Sequence, residues 1–196
     1  MISKIIIFVI FHIFLIFSLE SQPSKAQTWV RVGYFWYEQK EFPISKIDSS
    51  LFTHLICGYA HLNSTTYQLF LSYYDEKYFS IFTKTVKQKN PSVTTLLSIG
   101  GLAKYSDFSS MMSNSSYRKL FIDSSIKIDR LYGFQVLDFW SVFQNMSRYD
   151  FINMEILFKE WQSAIAFEAR NSSQQQQLIL RTAVKYSVSY PIESIH

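Results

Sequence analysis

Cysteine occurs once, at Cys57, so nothing within the 196 residues can form an internal disulfide. It lies in the apolar run Leu55–Tyr59 and reads as a small buried side chain. Glycine occurs five times, and Gly100-Gly101 is not followed by the rest of a dinucleotide-binding loop. The four histidines, His12, His54, His61 and His196, are dispersed, and none has metal-ligand spacing with another His or Cys. Neither a metal nor any other cofactor is expected. Lys and Arg never run longer than two, so the net charge of +4 forms no stripe that would follow a nucleic-acid backbone. Charged residues make up only 17% against 48% hydrophobic, a balance that excludes a disordered chain.

What is abundant is aromatic: 18 Phe and 13 Tyr contribute to an 18% aromatic share. Rings of that area mostly fill cores, and a minority remain to stack on a ligand. The N-terminus has a separate logic. Lys4 precedes an almost unbroken apolar run, Ile5–Phe17, too short for the roughly 20 residues that cross a bilayer. A polar stretch ending Ser24-Lys25-Ala26 follows, with small residues where a leader peptidase needs them. Residues 1–26 therefore read as a signal peptide, which leaves 170 mature residues with no expected membrane span and a secreted, extracellular or cell-wall location. Four acceptor sequons agree with that route, at Asn63, Asn114, Asn145 and Asn171.

The mature part alternates strand and helix patterns. Val30–Trp36, Thr53–Ala60, Val93–Ile99, Phe134–Phe139 and Leu178–Tyr186 are short, mostly continuous apolar runs, as strands covered on both faces require. Helical spacing appears over 76–89 through Phe79, Phe82 and Val86. It returns in Tyr117, Leu120, Phe121, Ser124, Ile128 and Leu131, and again in Met154, Leu157, Phe158, Trp161 and Ile165. Gly133 is placed to end the second helix, and the Gln174–Gln177 tract reads as an exposed loop. Repeated β–α units predict an α/β fold, and periodicity leaves an open doubly wound sheet and a (β/α)8 barrel both standing.

Several segments resemble one family in order and spacing. Ser98-Ile99-Gly100-Gly101 is similar to the S-x-G-G end of the third barrel strand in glycoside hydrolase family 18. Residues 131–138, Leu-Tyr-Gly-Phe-Gln-Val-Leu-Asp, resemble the approach to that family's catalytic strand, and Glu160–Ile165 the helix after it. Val30–Trp36, Phe52–Ala60 and Tyr190–Ile195 resemble segments of plant class V chitinases. The resemblance implies a TIM-type (β/α)8 barrel, with its site at the C-terminal ends of the strands, that handles chitin or N-acetylglucosamine oligosaccharides. A full barrel takes about 250 residues, so residues 27–196 are expected to supply about the first five β–α units. Such a partial barrel would expose two sheet edges.

The family's catalytic strand carries D-x-x-D-x-D-x-E, whose glutamate protonates the leaving oxygen while the aspartate two places earlier holds the substrate acetamide, itself the nucleophile. Alternate residues of a strand share a face, which is why that spacing matters. Here the matching positions are Gln135, Asp138, Trp140 and Val142, and a one-residue gap would put Ser141 at the acid position. Valine cannot donate a proton. Glu155 falls in the next helix, and Asp150 reads as part of the connecting loop. The resemblance therefore implies a protein of this family that no longer hydrolyses and in which Asp138 survives as a polar anchor. Tyr34, Trp36, Tyr59 and Asp138 are the candidate sugar-binding residues; Trp140 could stack or fill space, and His61 reads as a surface-loop side chain. Two other readings stay open. One is an active chitinase, on resemblance alone. The other is the start of a receptor ectodomain, which requires a membrane span and a kinase after His196.

Overall fold

The computed structural model describes residues 29–36, 42–101, 104–140, 146–172 and 176–183. By its internal contacts the chain divides after Val30, and every element below lies in the Arg31–His196 unit. The proposed leader 1–26, Val142 and Asn145 fall outside the described residues, as does the segment Tyr190–Ile195.

The elements in chain order are β1 (Val32–Trp36), β2 (His54–Leu62), the two-residue β3 (Leu69–Phe70), α1 (Tyr73–Lys89) and β4 (Thr94–Ile99). After them come α2 (Tyr105–Ser113), α3 (Ser115–Tyr132), β5 (Val136–Trp140), α4 (Arg148–Asn171) and β6 (Ile179–Ala183). Five strands pair in parallel in the order β1-β2-β4-β5-β6, and β3 adds an antiparallel stub to β2. Each parallel strand joins the same side of its predecessor. A doubly wound sheet reverses its order at a switch point, whereas a barrel adds strands in sequence. The fold is therefore α/β of the barrel type, represented here by five parallel strands.

Two helices start earlier than apolar spacing indicates, for one reason. Ser72 Oγ accepts from Asp75 N–H at 3.2 Å while Asp75 Oδ2 accepts from Ser72 N–H at 3.3 Å, so α1 begins at Tyr73 rather than near residue 76. Ser147 and Asp150 repeat the arrangement at the start of α4. Such a capping box satisfies two otherwise orphaned N–H groups and is worth about 1 kcal/mol. It also corrects the sequence reading of Asp150, which sits in the first turn of α4 and not in a connecting loop.

The strands bury both faces, and the two faces differ. Leu55, Cys57, Leu97, Ile99, Leu137 and Phe139 point into the core beneath the helices. Phe79 and Phe82 of α1, Phe108 and Met111 of α2, Phe121 of α3, and Leu157 and Trp161 of α4 complete it. Phe139 meets Phe108, Trp161 and Phe121 edge-on at centroid distances of 5.4, 5.8 and 5.9 Å. Each such ring contributes about 1.5–3 kcal/mol by burial alone. The alternating neighbours Ile56, Leu96 and Val136 form a separate cluster on the opposite, inner face.

The apolar stripe read for α3 is partly corrected. Leu131 is 66% exposed and Leu120 is also exposed, while Phe121, Ile122, Ser125 and Asp129 are buried. The buried line runs through positions 121, 125 and 129, one turn apart each time. Arg118 fastens α3 to α4 by two 2.8 Å bonds to Glu160, and Arg130 does the same to Glu168 at 3.0 and 2.7 Å. Paired Arg–carboxylate bonds of this kind also fix orientation. Among the described residues, no helix is long and apolar enough to cross a membrane.

Candidate functional site

The register of the sheet places one row of residues side by side near the C-terminal ends of the strands. Trp36 is opposite Gly58, Ser98 opposite Asp138, and Asp138 opposite Arg181. Between β2 and β4 the register shifts from Cys57 to Ala60, so Gly58 and Tyr59 together face the single residue Ser98. This is a bulge, a device that re-aims a side chain. The Gly58–Tyr59 peptide is cis.

Asp138 is fully buried on this row. Ser98 Oγ donates to its Oδ2 at 3.0 Å. Its Oδ1 has no hydrogen bond among the described residues and faces Arg181 Nε at 3.5 Å. Burial pushes the carboxyl above its usual range, and Arg181 and the Ser98 hydroxyl pull it back down. Sequence reading did not name Arg181. The signal was there, since arginine is the one charged residue in the run Leu178-Ile179-Leu180-Arg181-Thr182-Ala183.

The S-x-G-G segment acquires a physical explanation. Ser98 holds Asp138. Gly100, at φ 125°, lets the Trp140 carbonyl oxygen approach so closely that an added Cβ would lie 2.9 Å from it. Gly101, at φ 56°, supports the Tyr59 ring, which a Cβ would meet at 2.7 Å. Both positions need glycine for conformation and for space.

The aromatic candidates converge in part. Tyr34 and Trp140 meet edge-to-face with centroids 6.4 Å apart. The Tyr59 hydroxyl is pushed above its usual pKa by burial first, then by the neighbouring Tyr34 and Asp138. Tyr34, Tyr59, Asp138 and Trp140 therefore share one locality, and Trp36 stands at the end of β1, half exposed at 52%. Of the candidates, Tyr34 is central in β1 and not at its end, and Tyr59 reaches the site through the bulge inside β2.

Other candidates lie apart. Gln135 precedes β5, and its Oε1 accepts from Lys87 Nζ at 2.8 Å and from Thr95 N–H at 3.2 Å, a structural tie away from the Asp138 row. His61 is not in a loop: it belongs to β2, with Nε2 3.3 Å from Asp75 Oδ2 and its ring 5.7 Å from Phe70. Asp150 accepts from the hydroxyls of Ser109, Ser147 and Tyr105, which in that order hold its carboxyl far below the usual range and commit it to joining α2 and α4. Asn63, Asn114 and Asn171 are described, Asn63 at the end of the β2 hairpin strand and the other two at helix ends. Among the described residues, no three His, Cys, Asp or Glu side chains are grouped to hold a metal ion. Clefts of about 800 Å³ between α3 and α4, and of about 450 Å³ around Arg31, His54 and Lys89, do not include Asp138.

The row thus offers a buried carboxylate already matched to a cation, flanked by aromatic faces. The aromatic faces can stack on a ligand, while Asp138, fully buried, is committed to Ser98 and Arg181.

Comparison with known proteins bears on this arrangement. The model of the family described as glycosyl hydrolases family 18 matches residues 30–195. A class V chitinase of Arabidopsis thaliana is 47% identical over 186 residues, covering 91% of this chain and 48% of that protein. A point mutant of the class V chitinase of Nicotiana tobaccum, solved in complex with NAG4, superposes with a TM-score of 0.72 at 42% identity, over 78% of this chain and 43% of that one. A chitinase-like agglutinin from Robinia pseudoacacia superposes with a TM-score of 0.74 at 40% identity, over 80% of this chain and 46% of that one. The chain spans about half the length of the curated relatives it matches.

Proposed function

The chain belongs to glycosyl hydrolases family 18, and we propose that it is a secreted, non-hydrolytic chitinase-like protein that holds N-acetylglucosamine oligosaccharides on its inner face. The observation that carries this reading is the state of the catalytic strand. Its one remaining motif carboxylate, Asp138, is fully buried and matched to Ser98 and Arg181. Trp140 and Val142 occupy the positions where the resemblance implies the acetamide-holding aspartate and the proton donor. A positioned general acid supplies about 10²–10⁴-fold in rate, so its loss alone removes most turnover.

Sugar binding draws on different groups. Trp36 and Trp140 end their strands, where barrels place their ligands, and the rings of Tyr34 and Tyr59 lie beside them. The complex of the mutant Nicotiana protein with NAG4 supports an oligosaccharide as ligand, and the Robinia protein, named a chitinase-like agglutinin, supports a binding role. Secretion rests on the leader pattern in residues 1–26. The test is a titration of the purified chain with the N-acetylglucosamine tetramer, followed by tryptophan fluorescence. Saturable quenching that weakens in Trp140→Ala fits the proposal. A flat titration contradicts the sugar-binding part of it.

A further inference from the structure

Two sequons stand on either side of one aromatic contact. Asn63 closes the turn after β2, and its Oδ1 accepts from the Thr65 and Thr66 N–H groups at 2.9 Å each. Asn114 caps α3, and its Oδ1 accepts from Ser116 N–H at 2.8 Å and Tyr117 N–H at 3.3 Å. Tyr67 and Tyr117 stack with centroids 3.9 Å apart and planes 18° from parallel, joining the two segments. Leu69 N–H donates to Ser124 Oγ at 2.8 Å and seals the same contact.

In both sequons the carbonyl oxygen of the amide is held by backbone, so the side chain has a fixed direction. Neither Nδ2 is engaged among the described residues, and Ser64, Thr65, Ser115 and Ser116 are exposed around them. Asn171 differs: its Nδ2 donates to the Phe167 carbonyl at 3.0 Å within the last turn of α4.

We infer that Asn63 and Asn114 are a pair of N-glycosylation sites, whose oligosaccharides flank the Tyr67–Tyr117 stack and cover the contact between the β2–β3 hairpin and α3. This rests on the secreted reading above. In the transfer, the amide Nδ2 bonds to the anomeric carbon of a polyprenyl-pyrophosphate-linked oligosaccharide and gives up one proton. The polyprenyl pyrophosphate leaves with the electron pair of the broken C–O bond. The fold accommodates the product because the nitrogen that carries the sugar is not needed for the turn or the cap.

That division of labour also supplies clean variants. Replacing the asparagines would remove the turn and the cap, at about 1 kcal/mol for a cap. Thr65→Ala and Ser116→Ala destroy the sequons and leave both backbone donors in place. The experiment expresses the whole chain in a eukaryotic secretory host in two forms, one with its own N-terminus and one behind an added cleavable leader. Occupancy is read by peptide mass after enzymatic glycan release, which converts each occupied Asn to Asp. The expected result is occupancy at Asn63 and Asn114, lost only at Asn63 in Thr65→Ala and only at Asn114 in Ser116→Ala. If the added-leader form reaches the medium with both asparagines bare, the inference is overturned. If that form is modified while the form with its own N-terminus stays in the cell, the inference holds and the secreted reading fails.

Discussion

Arg181 Nε stands 3.5 Å from Asp138 Oδ1, on the neighbouring strand and in the same row of the sheet. The one carboxylate left at the motif positions is here half of an ion pair. A charge buried without such a partner costs several kcal/mol, and breaking a buried pair from one side is the expensive operation.

Arg181→Met removes the cation and leaves the carboxylate buried. Its folded pKa then rises further, so the stability it contributes is intact at low pH and is lost as pH climbs through the new value. Arg181 is part exposed, which discounts the effect to about 2 kcal/mol at neutral pH. Urea unfolding at pH 4 and pH 7.5 checks this. The variant should match the parent more closely at the lower pH, and adding Asp138→Asn should recover most of the loss at the higher one.

A second buried carboxyl has no such partner. Both oxygens of Asp129 lack hydrogen bonds among the described residues, and burial raises its pKa to about 7, with Arg130 lowering and Glu168 raising it. The raised value means that the proton stabilises the fold. Stability is full below about pH 4, declines between about pH 4 and 7, and stays low above that. Asp129→Asn should therefore raise the melting temperature at pH 8 and change it little at pH 4. An equal effect at both values would contradict the assignment.

Gly101→Ala tests the account of the S-x-G-G segment. The new methyl would enter the Tyr59 ring at 2.7 Å and sit on a backbone at φ 56°. A loss of about 1–3 kcal/mol is expected, together with a changed near-ultraviolet tyrosine signal. Gly58→Ala is the control, since its methyl would meet only Ser98 Cβ, at 3.7 Å.

The fold was largely legible because its signals are local and repeated. The apolar run Val93–Ile99 and the spacing of Phe79, Phe82 and Val86 declare strand and helix, and the order and spacing of several segments, S-x-G-G among them, point to the family. Helix starts were misplaced where caps override apolar spacing, although Ser72-x-x-Asp75 and Ser147-x-x-Asp150 carried the information. The nine-residue α2 was missed because its apolar positions, Phe108, Met111 and Met112, cover barely two turns. The site was half legible. Asp138 follows from motif position and Tyr34, Trp36 and Tyr59 from the aromatic content of the strand runs, whereas the Arg181 partnership depends on register between strands some forty residues apart, which no local pattern encodes. The bulge at Gly58–Tyr59 is likewise a property of pairing and not of either strand alone.

The most direct test of the central claim is the rate at which the purified chain releases reducing ends from the N-acetylglucosamine tetramer, measured beside the class V chitinase of Nicotiana tobaccum. On the proposed reading, which puts Val142 at the acid position and Asp138 in a pair with Arg181, the rate should fall at least about 10²-fold below that enzyme, and Asp138→Ala should leave the remainder unchanged. A rate within tenfold of that enzyme, abolished by Asp138→Ala, would contradict the account.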